Sequence, residues 1–309
     1  MKNDLSLDVI VPVYNGAATV GQLINRLLEM PKPDGLMVGI IVVDDASTDQ
    51  TAEVLESFDN PLIQLVRHNN NMGRAGACNS GVLFSKASHI IFLDVDCFPC
   101  SDDYFLLITA ALQSDAVLLF GPIGSDGDDF WSRYISEVES RRAELLVKHD
   151  NPYAMTSCNL AVSKLLYLKA GGFNTDYSRY GFEDRDLIVK LLAHNSRPLY
   201  LPGARVEHKA NYTVKSYCQR MEDSARYSAP LFYRDHPDVY RTMLYSRLDP
   251  LTSTFFRKHL VFTLLSRLAF FFQWQAQHLV DNRFVPYKVQ LYAVKAAAMM
   301  SYVRGAKNR

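Results

Sequence analysis

Short apolar stretches recur along the first third of the chain with polar punctuation between them. Leu7–Val13 is rich in β-branched residues, and Val38–Val43, Leu62–Val66 and Ile90–Leu93 repeat the pattern. Runs of this length read as strands buried on both faces. Between them the period changes. Ala17–Met30 repeats apolar residues at helical spacing, Ser47 or Thr48 can cap a helix running through Phe58, and Ala75–Lys86 reads as a further helix. Strands alternating with helices give βαβ crossovers, so the fold class is α/β, with a mostly parallel sheet covered by helices on both faces. Further on, "EDRDLIVKLL" is an amphipathic helix with Leu187, Ile188, Leu191 and Leu192 on its apolar face. Glu183 and Asp184 open it, and Asp186 is expected on its wet side.

The last segment breaks the rhythm. "HLVFTLLSRLAFFFQWQAQHLV" is strongly apolar but interrupted by Arg267, and the uncharged run Leu268–Val280 is short of the ~20 residues that span a bilayer. Tyr287–Val303 is Ala-rich and carries Lys288 and Lys295. From Leu251 onward, nine Lys/Arg face Asp281 alone, a formal +8, while the whole chain is neutral and residues 1–250 therefore carry −8. That shift divides the chain into a 1–250 catalytic-sized domain and a basic helical tail, 251–309. The tail either lies in the headgroup region of an anionic membrane or packs against the larger domain or a second copy of the chain. The sequence leaves both open, and with them a homo-oligomer.

Composition narrows the class. Hydrophobic residues at 48% with 21% charged describe a packed protein, and the balanced charge gives no nucleic-acid signal. The short apolar run at the N-terminus lacks a small-residue cleavage site, so the expected location is cytoplasmic. Five cysteines, an odd number, fit a reducing compartment. Asn211-Tyr212-Thr213 matches a glycosylation sequon, which has meaning only in a secreted chain.

Candidate chemistry gathers at strand ends, where ligands of such sheets collect. Tyr14, Asp45 and the pair Asp94/Asp96 each follow an apolar run. In "HIIFLDVDCFPC" two chemistries compete. Asp94-x-Asp96 is half of a divalent-metal site; Cys97-x-x-Cys100 suggests a cytosolic thiol oxidoreductase. Neighbouring carboxylates disfavour a reactive thiolate, and one C-x-x-C supplies only half of a zinc site, so the cysteines read as fillers of a turn after the strand. Neither common Gly-rich phosphate loop is present. Carboxylates at strand ends would repel a diphosphate unless a hard cation, Mn²⁺ or Mg²⁺, lay between them.

The ordered series "VIVPVYNG", "IIVVDDASTDQT", "NNNMGRAGACNSGV", "IIFLDVDCFP", "GGFNTDYSRYGFEDRDL" and "ARVEHKA" resembles family 2 glycosyltransferases of the GT-A fold, over about residues 7–210. The resemblance implies metal-dependent transfer of a hexosyl or N-acetylhexosaminyl group from a nucleotide diphosphate sugar, a UDP-sugar above others, to an acceptor hydroxyl with inversion. It implies work on cell-surface polysaccharide or glycolipid at the inner face of the membrane, with a glycan or lipid-linked glycan as acceptor. By the same resemblance, Pro12, Tyr14 and Asn15 line the nucleotide, Asp45 binds its base, and Arg74 and Asn79 help close that pocket. The family's arginine just before Asn79 is Cys78 here. Asp96 corresponds to a direct metal ligand, Asp94 to a ligand or ribose contact, and His208 to a third ligand. Asp184 corresponds to the general base and Glu183 to an acceptor-orienting residue, with Asn159, Gly171 and Gly172 between donor and acceptor subsites.

Overall fold

The computed structural model describes residues 5–194, 196–209, 212–253 and 260–309; the sequon's Asn211 lies outside them. The four expected strands are β1 (Ser6–Val13), β2 (Met37–Asp44), β3 (Ile63–Arg67) and β4 (His89–Leu93). They are separated by α1 (Val20–Glu29), α2 (Thr51–Glu56) and α3 (Gly73–Phe84). Helix α1 forms because Val20, Leu23, Ile24 and Leu27 share one buried face, each contributing about 1.5–3 kcal/mol over exposure. The α2 cap departs from expectation. The helix starts after Gln50, without a side-chain cap. Ser47 and Thr48 instead tie their loop to Asn15: Ser47 Oγ accepts the Asn15 N–H at 2.9 Å, and the Thr48 N–H donates to Asn15 Oδ1 at 2.8 Å.

After β4 come β5 (Cys97–Pro99), α4 (Tyr104–Gln113), β6 (Leu118–Phe120), β7 (Ile123–Gly124) and α5 (Phe130–His149). Then follow β8 (Asn159–Ser163), α6 (Lys164–Lys169), α7 (Glu183–Leu192), β9 (Leu199–Tyr200) and β10 (Val206–His208). A seven-stranded sheet has the order β3-β2-β1-β4-β8-β6-β9, with β8 antiparallel to both its neighbours and the other pairs parallel. Alternation along β1 sends Val9 and Val11 into the core that holds α1 and α4, and Ile10 into the core that holds α3 and Leu187, Ile188 and Leu191 of α7. Gly81 lets α3 approach closely, since a Cβ there would lie 2.4 Å from Ile10 Cγ2.

A second sheet, β5-β10-β7, corrects the reading of Cys97 as a turn residue, while Cys100 lies just beyond the strand. Cys97, Phe98 and Pro99 are all buried, and they form an edge strand paired antiparallel with β10, placing His208 opposite Cys97.

By its internal packing the chain divides into two compact units. The first comprises Met1–Gly127, Ile135–Ser178 and Leu187–Ala210 and contains both sheets. The second comprises Asp128–Tyr134, Arg179–Asp186 and Asn211–Arg309. Its helices are α8 (Val214–Asp223), α9 (Ala229–Asp235), α10 (Pro237–Thr242), α11 (Leu260–Val280) and α12 (Tyr287–Lys307), with a π-helical turn, Ser224–Ser228, joining α8 to α9. Its core gathers Phe130, Val214, Cys218, Ala276, Leu291, Val294 and Ala297. The basic tail is tied into this unit. Asp249, fully buried, accepts Arg309 Nη1 and Nη2 at 2.7 and 2.6 Å and the Tyr240 hydroxyl at 2.5 Å, and Arg304 Nε donates to Glu222 at 2.8 Å. Among the described residues no helix is long and apolar enough to cross a membrane.

Candidate active site

The carboxyl edge of the parallel strands collects the acidic groups. Asp45 is buried directly after β2, and its Oδ1 accepts His68 Nδ1 at 2.7 Å and the Met72 N–H at 2.8 Å. His68 follows β3, and its Nε2 meets Ser80 Oγ on α3 at 2.9 Å. Sequence reading missed His68 and Ser80; the only signal is the polar "RHNNN" that ends the third apolar run. Asp44 is spent on the turn, accepting the Ser47 N–H at 3.0 Å while Ala46 takes a left-handed φ of 60°. Tyr14 follows β1 and is 51% exposed, so the ring is presented and not packed. Pro12 lies within β1, paired with Val43 of β2, and Asn15 holds the 47–48 loop as described.

Arg74 begins α3 and turns to β4's end. Its Nε and Nη2 reach Asp94 Oδ1 at 2.8 and 2.7 Å, Nη1 donates to Ser157 Oγ at 2.9 Å, and the guanidinium covers the Phe173 ring at 5.5 Å. Cys78, one turn further along α3, is fully buried, so that position presents nothing to a phosphate. Arg74 is the basic group that α3 offers at this edge.

Asp96 and His208 meet because β10 pairs with β5. His208 Nε2 lies 3.2 Å from Asp96 Oδ2, and the backbone N–H of Lys209 holds the Asp96 carbonyl at 2.8 Å. The ligand atoms of Asp96, Cys97 and His208 lie within 4.8 Å of one another. A carboxylate and an imidazole at the end of a cleft strand suit Mn²⁺ or Mg²⁺ with open positions, and this donor set fits such an ion. The thiol does not add to it. Its contact with Cys158, its complete burial and the Asp96 and Asp94 carboxylates all push the Cys97 thiol well above its ordinary pKa.

The same geometry disposes of the dithiol. Cys97 faces inward and is fully buried, whereas Cys100 is exposed and its N–H pairs with the Arg205 carbonyl at 3.0 Å. Three steps of extended chain separate their Cα atoms by roughly 10 Å, beyond the reach of a disulfide. Burial also raises the Cys100 thiol's pKa.

Two other expected site residues, Asn79 and Asn159, hold neighbouring segments in place. Asn79 Oδ1 accepts the Phe173 N–H at 3.0 Å and its Nδ2 donates to the Phe173 carbonyl at 2.9 Å. It thereby clamps the turn in which Gly171 and Gly172 take left-handed φ of 82° and 66°. A Cβ on Gly172 would fall 2.8 Å from Asn79 Oδ1. Asn159 is buried, accepting the Tyr104 hydroxyl at 2.8 Å and donating to the Ala204 carbonyl at 2.8 Å, so its polar atoms join β8 to α4 and the β9–β10 connection.

Glu183 and Asp184 belong to the second unit and open α7. The chain enters through Gly181 and Phe182 at φ of 101° and 70°. A non-Gly residue there costs about 1–3 kcal/mol, and stacking of Phe182 on Phe232 at 5.0 Å and against Tyr240 at 5.7 Å opposes that cost. Asp186 corrects an expectation: it is buried, not solvated, because His236 Nε2 meets its Oδ1 at 2.8 Å.

A mixed sheet with helices on both faces, acidic strand ends and a second small sheet carrying a histidine define a GT-A fold. Solved structures of that fold match along nearly the whole chain. A mannosyltransferase from Pyrobaculum calidifontis, in complex with GDP-Man and Mn²⁺, superposes with a TM-score of 0.60 at 18% identity, covering 94% of this chain and 85% of that one. Residues 1–349 of TarS from S. aureus, in complex with UDP, give 0.53 at 17% identity, covering 98% and 90%. The family model for glycosyl transferase family 2 matches residues 8–166, and the chain belongs to that family. An undecaprenyl-phosphate 4-deoxy-4-formamido-L-arabinose transferase from Edwardsiella ictaluri is 31% identical over 200 residues, 63% of this chain but only 54% of that protein. An uncharacterized glycosyltransferase from Haemophilus influenzae is 27% identical over 68% of this chain and 70% of its own.

Proposed function

We propose that the chain is an inverting glycosyltransferase that moves a hexosyl or N-acetylhexosaminyl group from a nucleotide diphosphate sugar, a UDP-sugar first among donors, to a hydroxyl of a glycan or lipid-linked glycan. The observation that carries this reading is the Asp96–His208 pair beside Asp94, at the strand end where a diphosphate would arrive. Neighbours of the same fold hold GDP-Man with Mn²⁺ and UDP, which supports a nucleotide and a divalent ion here.

The roles follow from the chemistry of each group. Tyr14 offers an exposed ring for the base, and Asp45, fixed through Oδ1, accepts from the base's N–H. Arg74 guards the Asp94 carboxylate and faces incoming phosphate oxygens. Asp96 and His208, with Asp94 adjacent, would hold the divalent ion, which when bound neutralises the diphosphate and stabilises it as it leaves. Asp184 takes the acceptor's proton as the acceptor oxygen forms its bond to the anomeric carbon. Attack comes from the face opposite the breaking C–O bond, whose electron pair departs with the diphosphate, and the configuration inverts. Glu183 orients the acceptor.

A peripheral place on an anionic membrane, at its cytoplasmic face, goes with a lipid-linked acceptor in glycolipid or polysaccharide synthesis. Along α11, Leu264, Arg267, Phe271, Trp274 and His278 recur at helical spacing and are all exposed, while Ala269 and Ala276 on the opposite side are buried. An aromatic and basic arc of this kind suits a headgroup layer.

The test is a panel of nucleotide sugars with Mn²⁺, Mg²⁺ or chelator, read by nucleotide release and by thermal shift. Turnover of a UDP-sugar with metal is expected, with loss in chelator and in Asp96→Ala. Full turnover in chelator overturns the metal role, and turnover of none of the panel overturns the transferase.

A further inference from the structure

Three arginines and three tyrosines of the second unit interleave where the chain leading into Glu183 and Asp184 meets the α8 region. Arg179 and Tyr180 precede the Gly181–Phe182 turn, Tyr212 and Arg220 come from the start and the body of the α8 region, and Arg226 and Tyr227 lie in the π-helical turn. The guanidinium of Arg179 lies 5.8 Å from the Tyr227 ring centroid and that of Arg226 lies 5.1 Å from it. Arg220 sits over Tyr180 at 5.1 Å and over Tyr212 at 4.8 Å, and donates to the Tyr212 hydroxyl at 3.0 Å. Ser228 Oγ donates to the Tyr180 carbonyl at 3.1 Å, which pins the two stretches side by side.

The π turn is what turns this side of the unit outward. Its widened ring leaves Arg226 and Tyr227 exposed while Ala225 and Ser228 on either side of them stay buried, and such turns recur at functional sites. Arg179, Tyr180, Arg226 and Tyr227 are all exposed. Among the described residues, Arg179 and Arg226 make no salt bridge with a carboxylate. Arg179 and Arg226, each steadied by the Tyr227 ring, offer their guanidinium forks to an anion, and phosphate oxygens match that fork.

We propose that Arg179 and Arg226 form the acceptor's phosphate subsite and take the phosphate ester at the head of a lipid-linked acceptor, with Arg220 holding Tyr180 and Tyr212 in place and the tyrosine rings against the acceptor's first sugar or isoprene units. The proposal rests on the transferase reading and extends it. The lipid is favoured because the same unit carries the exposed aromatic and basic arc of α11, which suits a membrane surface.

The intact protein is titrated calorimetrically with farnesyl phosphate and with farnesol in neutral detergent micelles, without donor or metal. Farnesyl phosphate is expected to bind at least about tenfold more tightly than farnesol, and Arg179→Gln and Arg226→Gln each to weaken it about tenfold, the scale of a charge-assisted hydrogen bond. Arg179→Lys should retain most of the affinity, and Arg67→Gln, an exposed arginine of the first unit, all of it. Equal affinities for phosphate and alcohol, or unchanged binding by both glutamine variants with wild-type melting curves, overturn the subsite. Displacement by an equal concentration of inorganic phosphate overturns the lipid assignment. Wild-type nucleotide-sugar hydrolysis is measured in parallel. Hydrolysis without phosphate preference sinks the subsite alone, whereas phosphate preference without any donor turnover sinks the transferase and leaves the subsite standing.

Discussion

At the scale of one side chain, the proposed base Asp184 stands in the first turn of α7, directly after a turn in which Gly181 and Phe182 take left-handed φ. Asp184→Asn is expected to lower kcat by about 10²–10⁴ while donor affinity stays near wild type. Loss of nucleotide binding with kcat retained would instead make Asp184 a donor ligand. Asp94, Asp96, Asp45 and His208 can be picked out of the sequence because each stands at the end of an apolar run or in a motif with a family parallel. His68 cannot, since its meaning lies in partners 23 and 12 residues away that only sheet pairing brings near. Asp186 is misread from sequence for the same reason. Its partner His236 is 50 residues further on, and the local pattern shows only one more acid in a first turn. Asn79 and Asn159 fit the motif, but each divides its polar atoms between backbone groups and a tyrosine hydroxyl, partners that only the folded chain brings within reach.

Elements of the parallel sheet and the helices packed on it are the most legible. Strands β1 to β4 and helices α1 and α3 all lie where the apolar rhythm puts them. Strands β1, β2 and β4 are largely buried and leave a continuous apolar record, whereas β3, at the sheet edge, buries only Val66 and is not the doubly covered strand its sequence suggests. Strands β5, β7 and β10 leave no such record. They are three, two and three residues long, and they exist only through their mutual pairing. Helix α5 carries a prediction of its own. Glu139 on it is buried, with Arg142 Nη1 3.6 Å away, and burial raises its pKa against the opposing pull of that arginine. A carboxyl raised in the folded state favours folding below its unfolded value of about 4.3, and that contribution is lost as pH rises through the folded value. Glu139→Gln should therefore melt at a higher temperature than the wild type at pH 7, with the difference closing as pH falls toward 4. An equal or lower melting temperature at pH 7 would show that the ionised carboxylate is stabilising.

For the molecule as a whole, the charge asymmetry is real in sequence but smaller in effect. Of the nine positive residues from Leu251 onward, Arg304 and Arg309 are paired internally with Glu222 and Asp249. The exposed arc of α11, which carries Arg267, is expected to bring the intact protein down with phosphatidylglycerol vesicles at low salt, and less at high salt. Phe271→Ser combined with Trp274→Ser should abolish co-sedimentation without changing the melting curve. Failure of the wild type to sediment at low salt would end the membrane reading. The tail's other role, as a packed part of the second unit, explains why composition alone does not choose: an apolar basic helix can bury one side in protein and offer the other to lipid.

The second unit is written in three separated stretches of sequence, and this sets a timetable for making the protein. Phe130 and Arg133 leave the ribosome early, yet the ring they pack against, Tyr287 at 5.7 and 4.2 Å, follows Phe130 by 157 residues. At ordinary synthesis rates that interval is roughly 8–30 s. For all of it, the aromatic pair Phe130–Trp131 has no α12 to cover it, on a nascent chain whose sheet is already assembling. The first unit can close around its strands as they emerge; the second must wait for α12. Slowing translation before residue 287 is therefore expected to lower the yield of soluble protein more than slowing it after.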